Sequence, residues 1–310
     1  MPLSRLAGVA FSVVFLLATV FVAVRIVPGD PAAVLLGERA TEADRAQLRA
    51  RMHLDGDLLD QAGATIGDLL DGSLGTSYAL RGRPIAVRSV LAQAAPATLA
   101  LALAALFCAL AMAVPLGAWA AWGRGGWPDR VGRGVALVAM STPVFVSGPL
   151  LLVLVAVELG WAPTPAHPSS VWGELALPAL ALGFALGARL SRLLRTTLLE
   201  QLASPLPDAL RARGQSEARI WLRHLLPGAM VPMLAVIGGQ LGSLLGGAIV
   251  TEKIFGRPGL GTLLLDAIAA RDPAVVQGSV LCIAIAYAVT LGAVDAVVAI
   301  ADPRTREVTR

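Results

Sequence analysis

The sequence predicts an all-α, polytopic membrane protein with six transmembrane helices, and three observations carry that prediction. Of 310 residues, 56% are hydrophobic and only 15% charged, with a mean hydropathy of +0.72; a soluble domain carries roughly 45–50% apolar and about 25% charged residues. The apolar residues gather in charge-free runs long enough to cross about 30 Å of hydrocarbon as a helix. The 32 glycines and 20 prolines suit packed membrane helices, which tolerate both residues better than soluble helices do. A disordered chain is excluded, and an ordinary soluble enzyme is disfavoured.

The six spans follow in order. Residues 6–24 form a run closed by Arg25, and a second long run within 89–123 begins near Ala94. Residues 134–157 are closed by Glu158, 225–251 by Glu252 and 273–294 by Asp295. The run 175–188 is shorter and needs the turn bearing Arg189 and Arg192, whose long side chains snorkel to the interface. A signal peptide competes for residues 1–25, but no clean small-x-small cleavage site follows, so the first run reads as an uncleaved span. Sidedness comes from arginine. Arg124, Arg130 and Arg133 lie between spans two and three, seven arginines from Arg189 to Arg223 lie beside spans four and five, and Arg304, Arg306 and Arg310 follow span six. Residues 160–173 carry no Lys or Arg. The positive-inside rule then places both termini in the cytoplasm and residues 28–88 outside. That external segment reads as organised: a turn cluster at 28–31, a short charged helix over 41–54 with Thr41 as N-cap and Asp44 in its first turn, and a Gly-rich loop at 72–78.

The inventory for chemistry is thin. His53, His167 and His224 are far apart with no ligand-spaced partner, so neither a metal site nor a catalytic residue is expected. No phosphate-binding loop of the G-x-x-x-x-G-K-[ST] type occurs, so nucleotide hydrolysis must reside in another chain. Cys108 and Cys282 fall inside apolar runs and read as small buried hydrophobes. The net charge of +4 does not imply nucleic acid, because the arginines sit at the ends of apolar runs rather than on one stripe. Asp295, near the end of span six, reads as a structural partner of an arginine such as Arg189 or Arg192, and Glu252 with Lys253 as a local ion pair. Pro115, Pro143 and Pro178 are candidate kinks.

Two features stand out. The segment 196–224 is the longest internal stretch on the cytoplasmic side. A helix start at Ser204-Pro205, Asp208 in its first turn, a break at Gly214 and a second stretch over 216–226 predict two short helices. In the second, Ala218, Trp221, Leu222 and Leu225 fall at i, i+3, i+4 and i+7, an apolar stripe. Such a pair suits either a platform for a soluble partner or a helical loop on the membrane surface. In span five, Gly238, Gly242 and Gly246 form a row every four residues, with Gly239, Ser243 and Gly247 beside it. Small residues at that spacing let another backbone approach closely, for helix packing or for a pore-lining face.

Asp208-Ala209-Leu210, then Gly214, then His224-Leu225-Leu226-Pro227 resembles the EAA loop of bacterial ABC-importer permeases, with Asp, Leu and His standing where the family pattern has Glu, Ala and Ile. Further matches narrow the resemblance to the first-permease side of the dipeptide/oligopeptide/nickel subfamily: residues 25–31 at the exit of span one, 72–77, 96–99, 255–261, 271–273 and 302–304. They run in order through nearly the whole chain. The resemblance implies the type I importer (MetI-like) permease fold, with residues 1–93 as first helix and extracytoplasmic segment, 94–301 as the transmembrane domain with a coupling loop at about 196–227, and 302–310 as a cytoplasmic tail. It implies a translocation-pore subunit in the bacterial inner membrane, working by alternating access. The partners would be a second permease, two cytoplasmic ATPases carrying ATP and Mg, and an external binding protein; this chain itself would bind no cofactor. Pro205, Asp208, Ala209, Leu210, Arg211, Arg213, Gly214 and Ser216 are the expected coupling residues. Peptides are the favoured cargo, with nickel chelates, glutathione, haem or oligosaccharide as alternatives within the subfamily. An ATP-independent channel or ion-coupled carrier is the contrasting class, disfavoured because the spans offer no ionisable residue near the midplane.

Overall fold

The computed structural model describes residues 3–26, 30–36, 40–78, 84–163 and 171–301. By contacts the chain divides into two units, one joining residues 1–98 to 257–288 and the other joining 99–256 to 289–310.

The first unit opens with α1 (Leu3–Ile26), followed by three short helices, α2 (Pro31–Leu36), α3 (Glu42–Arg51) and α4 (Leu58–Leu70). The starts of α3 and α4 are written locally. The Asp44 N–H donates to Thr41 Oγ1 at 3.2 Å while the Thr41 N–H donates to Asp44 Oδ2 at 3.0 Å, a reciprocal capping box. Asp57 caps α4 in the same way, accepting from the Leu59 and Asp60 N–H groups at 3.0 and 2.9 Å. Helix α4 is not among the sequence expectations, although Asp57-x-x-Asp60 is a readable start signal. A two-residue antiparallel ladder follows, β1 (Thr76–Ser77) against β2 (Ile85–Ala86), with Ser77 opposite Ile85. The unit is completed by the first turns of α5 (Val87–Trp122), by α12 (Leu260–Ala269) and by most of α13 (Pro273–Ala301). Its core gathers Val87, Leu91, Ala94, Leu260, Ala267, Val275 and Val276.

The second unit is built around α8 (Val171–Leu202). Two-thirds of the apolar window of α8 (67%) is buried, against 28% for α5, so α8 is the central helix of this unit. Its glycines permit that: a Cβ on Gly183 would lie 2.5 Å from the Ala105 carbonyl oxygen of α5, and one on Gly187 would lie 2.9 Å from the Ala109 carbonyl oxygen. Backbone-to-backbone approach of this kind replaces side-chain interdigitation where lipid tails remove the hydrophobic drive. Leu190, Leu194 and Leu198 extend the same face into the core with Ala105, Ala109, Met233 and Leu244.

Among the described residues, four helical stretches are long and apolar enough to cross a membrane, Val87–Trp122, Glu174–Leu202, Glu217–Gln240 and Pro273–Val294. The third expected span is corrected. Instead of one helix over 134–157 there are two, α6 (Trp127–Ser141) and α7 (Val144–Leu151), the latter continuing in wide π-type turns over Leu152–Glu158; they meet at 104°. Thr142 is extended, at φ −94° and ψ 112°, immediately before Pro143. The proline ring disfavours helical conformation in the preceding residue and removes a donor, so the helix ends there. Counting the bent pair as one gives five spans among the described residues; α1 adds a shorter apolar stretch, Phe11–Ile26, where the sequence places the remaining one.

Candidate functional site

The segment after α8 folds as a helical hairpin. Pro205 precedes α9 (Leu206–Ala212), Pro207 lies in its first turn beside Asp208, and no internal N–H is sacrificed to either proline. The helix ends in a Schellman motif: the Gly214 N–H donates to the Arg211 carbonyl at 2.8 Å and the Gln215 N–H to the Leu210 carbonyl at 3.2 Å. Gly214 has φ +77°, in the left-handed region that favours glycine. The return helix α10 (Glu217–Ile220) continues through a π turn, Trp221–Leu225, into α11 (Leu226–Ile254).

That π turn splits the expected apolar stripe: Leu225 lies in the core and Trp221 packs against it, while Ala218 and Leu222 are exposed. Bonds from i to i+5 bring residues five apart into line, so Ile220 and Leu225 are both fully buried, whereas Leu222 is 69% exposed and Ala218 lies outside the core. Polar bonds close the hairpin. Arg211 Nε donates to Glu217 Oε1 at 2.6 Å and Nη2 to Oε2 at 3.3 Å, while Nη1 donates to Asp208 Oδ1 at 2.8 Å. The Arg211 guanidinium, chiefly through the hydrogen bond, holds the Glu217 carboxyl below the usual carboxylate range. His224 Nε2 lies 2.9 Å from Gln215 Oε1.

Of the eight coupling candidates, Pro205, Asp208, Ala209, Arg211, Arg213, Gly214 and Ser216 are exposed. Leu210 is not: it is 5% exposed and packs into the second unit's core. The two glycine rows of α11 are also split. A Cβ on Gly238 would lie 2.9 Å from Val294 Cγ1, and one on Gly247 would lie 2.8 Å from Leu182 Cδ1, whereas Gly239 and Gly246 face open space. Gly242 is half-buried, and the Ser243 side chain lies outside the described residues. Four residues advance a helix by 400°, so each row drifts 40° per step, while residues seven apart, such as Gly239 and Gly246, keep one face. The open face is therefore 239/246, not either four-residue row.

Several residues of the motifs that carry the family resemblance are fastened by hydrogen bonds within the first unit. Ser77 Oγ donates to Asp272 Oδ2 at 2.6 Å, 195 positions away, and Asp272 Oδ1 accepts from the Val275 N–H at 3.2 Å at the start of α13. The Leu260 N–H donates to Thr98 Oγ1 at 2.8 Å. Asp30 is bound by Arg49, Nε to Oδ2 at 2.9 Å, which holds its carboxyl below the usual range. These motif residues thus act as structural fastenings within the first unit. Asp295, His167 and residues 302–310 lie outside the described side chains; Arg189 donates to Gln240 Oε1 at 2.7 Å and Arg192 contacts Met140 Sδ at 3.4 Å. Glu252 is fully buried at the end of α11.

One constellation escaped sequence reading. Asp129, in the first turn of α6 and 2% exposed, accepts a two-pronged bond from Arg195 of α8, Nε to Oδ1 at 2.6 Å and Nη2 to Oδ2 at 2.9 Å. The partners are 66 residues apart and no local signal pairs them.

Comparison with known proteins accounts for this architecture. Residues 113–307 match the model of the family described as binding-protein-dependent transport system inner membrane component. The glutathione transport system permease protein GsiC of Salmonella choleraesuis (strain SC-B67) is 36% identical over 304 residues, 98% of each chain, and that of Escherichia coli (strain K12) is 34% identical over the same span. The inward-facing MetNI methionine ABC transporter shares the fold, with a TM-score of 0.58 at 18% identity, covering 69% of this chain and 97% of that one. A multi-pass helical chain with an exposed hairpin leading into a glycine-lined span, and relatives that align from end to end, give one conclusion: the chain belongs to the binding-protein-dependent transport system inner membrane components and is a permease subunit of an ABC importer.

Proposed function

We propose that this subunit forms half of the translocation pathway for short peptides, glutathione among them, and that it works by alternating access driven by ATP on partner subunits. The observation that carries the cargo is the similarity over 98% of both chains to permeases named for glutathione transport, itself a tripeptide. A second homologous permease supplies the other half, two cytoplasmic ATPases hold ATP and Mg, and an external binding protein delivers the cargo. The hairpin of residues 205–225 is the coupling element: exposed Ala209 and Arg213 dock on an ATPase, and the π turn, continuous with α11, carries the movement into it without an intervening loop. The face bearing Gly239 and Gly246 meets the second permease. Both termini are cytoplasmic and six helices cross the membrane, α1 being the first.

The test is uptake into proteoliposomes holding the whole importer and its binding protein. Labelled dipeptides, oligopeptides and glutathione are compared with nickel chelates, haem and oligosaccharides, with and without ATP. ATP-dependent accumulation of peptides supports the reading; uptake of a non-peptide alone overturns the cargo, and uptake without ATP overturns the mechanism. In the same complex, a cross-linker at Ala209 is expected to trap an ATPase subunit; trapping of lipid alone overturns the assignment of the hairpin.

A further inference from the structure

We infer that the Asp129–Arg195 fork is a rigid joint through which movement of the 205–225 hairpin reaches α5 and α6, with Arg195 acting as a positioning residue for transport. This rests on the reading of the hairpin as the coupling element. Arg195 lies less than two full turns before the end of α8 at Leu202, and α9 begins four residues later at Leu206. Leu210 of α9 shares one core with Leu194 and Leu198 of α8, so a push on α9 acts first on this end of α8.

What α8 pushes against depends on its side contacts. Its apolar contacts are non-directional. A guanidinium–carboxylate fork is directional and fixes both distance and rotation. Here the carboxylate is also held from its own side. The Gly125 N–H donates to Asp129 Oδ2 at 3.1 Å from a tight turn in which the Gly126 N–H bonds the Gly123 carbonyl at 2.8 Å. That turn joins α5 to α6. A Cβ on Gly123 would lie 2.5 Å from Pro128 Cγ, and Trp119 and Trp127 meet edge to face at 5.0 Å, so the α5–α6 corner is compact. Where α5 meets α8, a Cβ on Gly117 would lie 2.7 Å from the Ser191 carbonyl oxygen.

The remaining ion pair cannot replace the fork. Arg133 Nε lies 3.3 Å from Asp129 Oδ1, but it comes from the same helix, one turn on, and is 57% exposed. It neutralises the carboxylate without tying two elements together. Nor is stability a sufficient account, because a buried ion pair is often matched or bettered by apolar residues of similar size. Fixed geometry is what such residues would not supply.

The test uses the assembled importer in proteoliposomes with its binding protein. Two forms are compared with the unaltered complex: Arg195→Lys, which keeps the charge and loses the fork, and the double variant Asp129→Leu/Arg195→Met, which removes both charges and fills the space. Assembly, the Ala209 cross-link to the ATPase, ATP hydrolysis and substrate imported per ATP are measured together. Both variants are expected to assemble, to keep the cross-link and to hydrolyse ATP, while substrate imported per ATP falls roughly tenfold. Unchanged import per ATP in the assembled variants overturns the joint and leaves the pair a packing feature. If Arg195→Lys does not assemble, the double variant decides by the same ratio. Absence of the Ala209 cross-link in the unaltered complex overturns the hairpin reading, and this proposal with it.

Discussion

Ile220 and Leu225 stand five residues apart on a π turn, and both side chains are fully buried in the core that holds Leu194, Leu198 and Met233. An α-helical turn would have sent one of them to the surface. Truncation should follow the structure rather than the sequence pattern. Ile220→Ala is expected to destabilise the subunit by about 2–5 kcal/mol, the usual range for a large-to-small core change, and Leu222→Ala by less than about 0.5 kcal/mol. Thermal unfolding of the purified subunit in detergent gives the comparison; a larger loss at Leu222 would restore the expected stripe.

Gly214 separates conformation from space. A Cβ there meets nothing within 4 Å, but its φ is +77°. Gly214→Val is therefore expected to reopen the hairpin and abolish coupled uptake, while Gly214→Asn, whose side chain tolerates the left-handed region, should retain most of it. Equal loss in both would mean that contact with the partner, not backbone shape, sets the requirement.

The faces of α11 can be told apart by enlarging their glycines. Gly238→Leu collides with Val294 and should lower the yield of folded subunit. Gly239→Leu and Gly246→Leu add bulk to an open face, so they should leave the isolated subunit folded while reducing uptake by the importer. Normal uptake in both open-face variants would show that this face touches neither the pathway nor the second permease.

Orientation is checked by labelling. With Cys108 and Cys282 replaced by Ala, single cysteines at Leu59, which is 80% exposed, and at Ser216 are treated with a membrane-impermeant maleimide on intact cells. Leu59→Cys should react and Ser216→Cys should not. The reverse pattern would invert the topology.

The Arg211–Glu217 pair sets a pH expectation. Arg211 lowers the folded pKa of Glu217, so whatever the pair contributes is fully present above the unfolded value of about 4.3. It is lost only as pH falls through the lowered folded value. Between pH 6 and 8 the ratio of uptake in Glu217→Gln to that in the unaltered complex is expected to stay constant; a ratio that changes across that interval would assign the titration elsewhere.

By itself the sequence determined the membrane class, the caps and the hairpin. Apolar runs, Thr41 with Asp44, the proline at 205 and the glycine at 214 act within a few residues of themselves, so their consequences are readable along the chain. The same locality made the family motifs recognisable before their purpose was visible. What only the tertiary structure decided are the relations between distant positions: Ser77 with Asp272, Arg195 with Asp129, Gly183 against the backbone at Ala105. Burial is equally non-local. Leu210 sits among exposed hairpin residues yet points inward, the glycine rows part because α13 and α8 meet α11 on different sides, and the π turn brings Ile220 into the core and leaves Leu222 outside it. Thr142 and Pro143 mark the border between the two kinds of knowledge. The sequence carries the proline that ends a helix, but whether the chain then bends slightly or turns through 104° is set by the helices against which α6 and α7 pack.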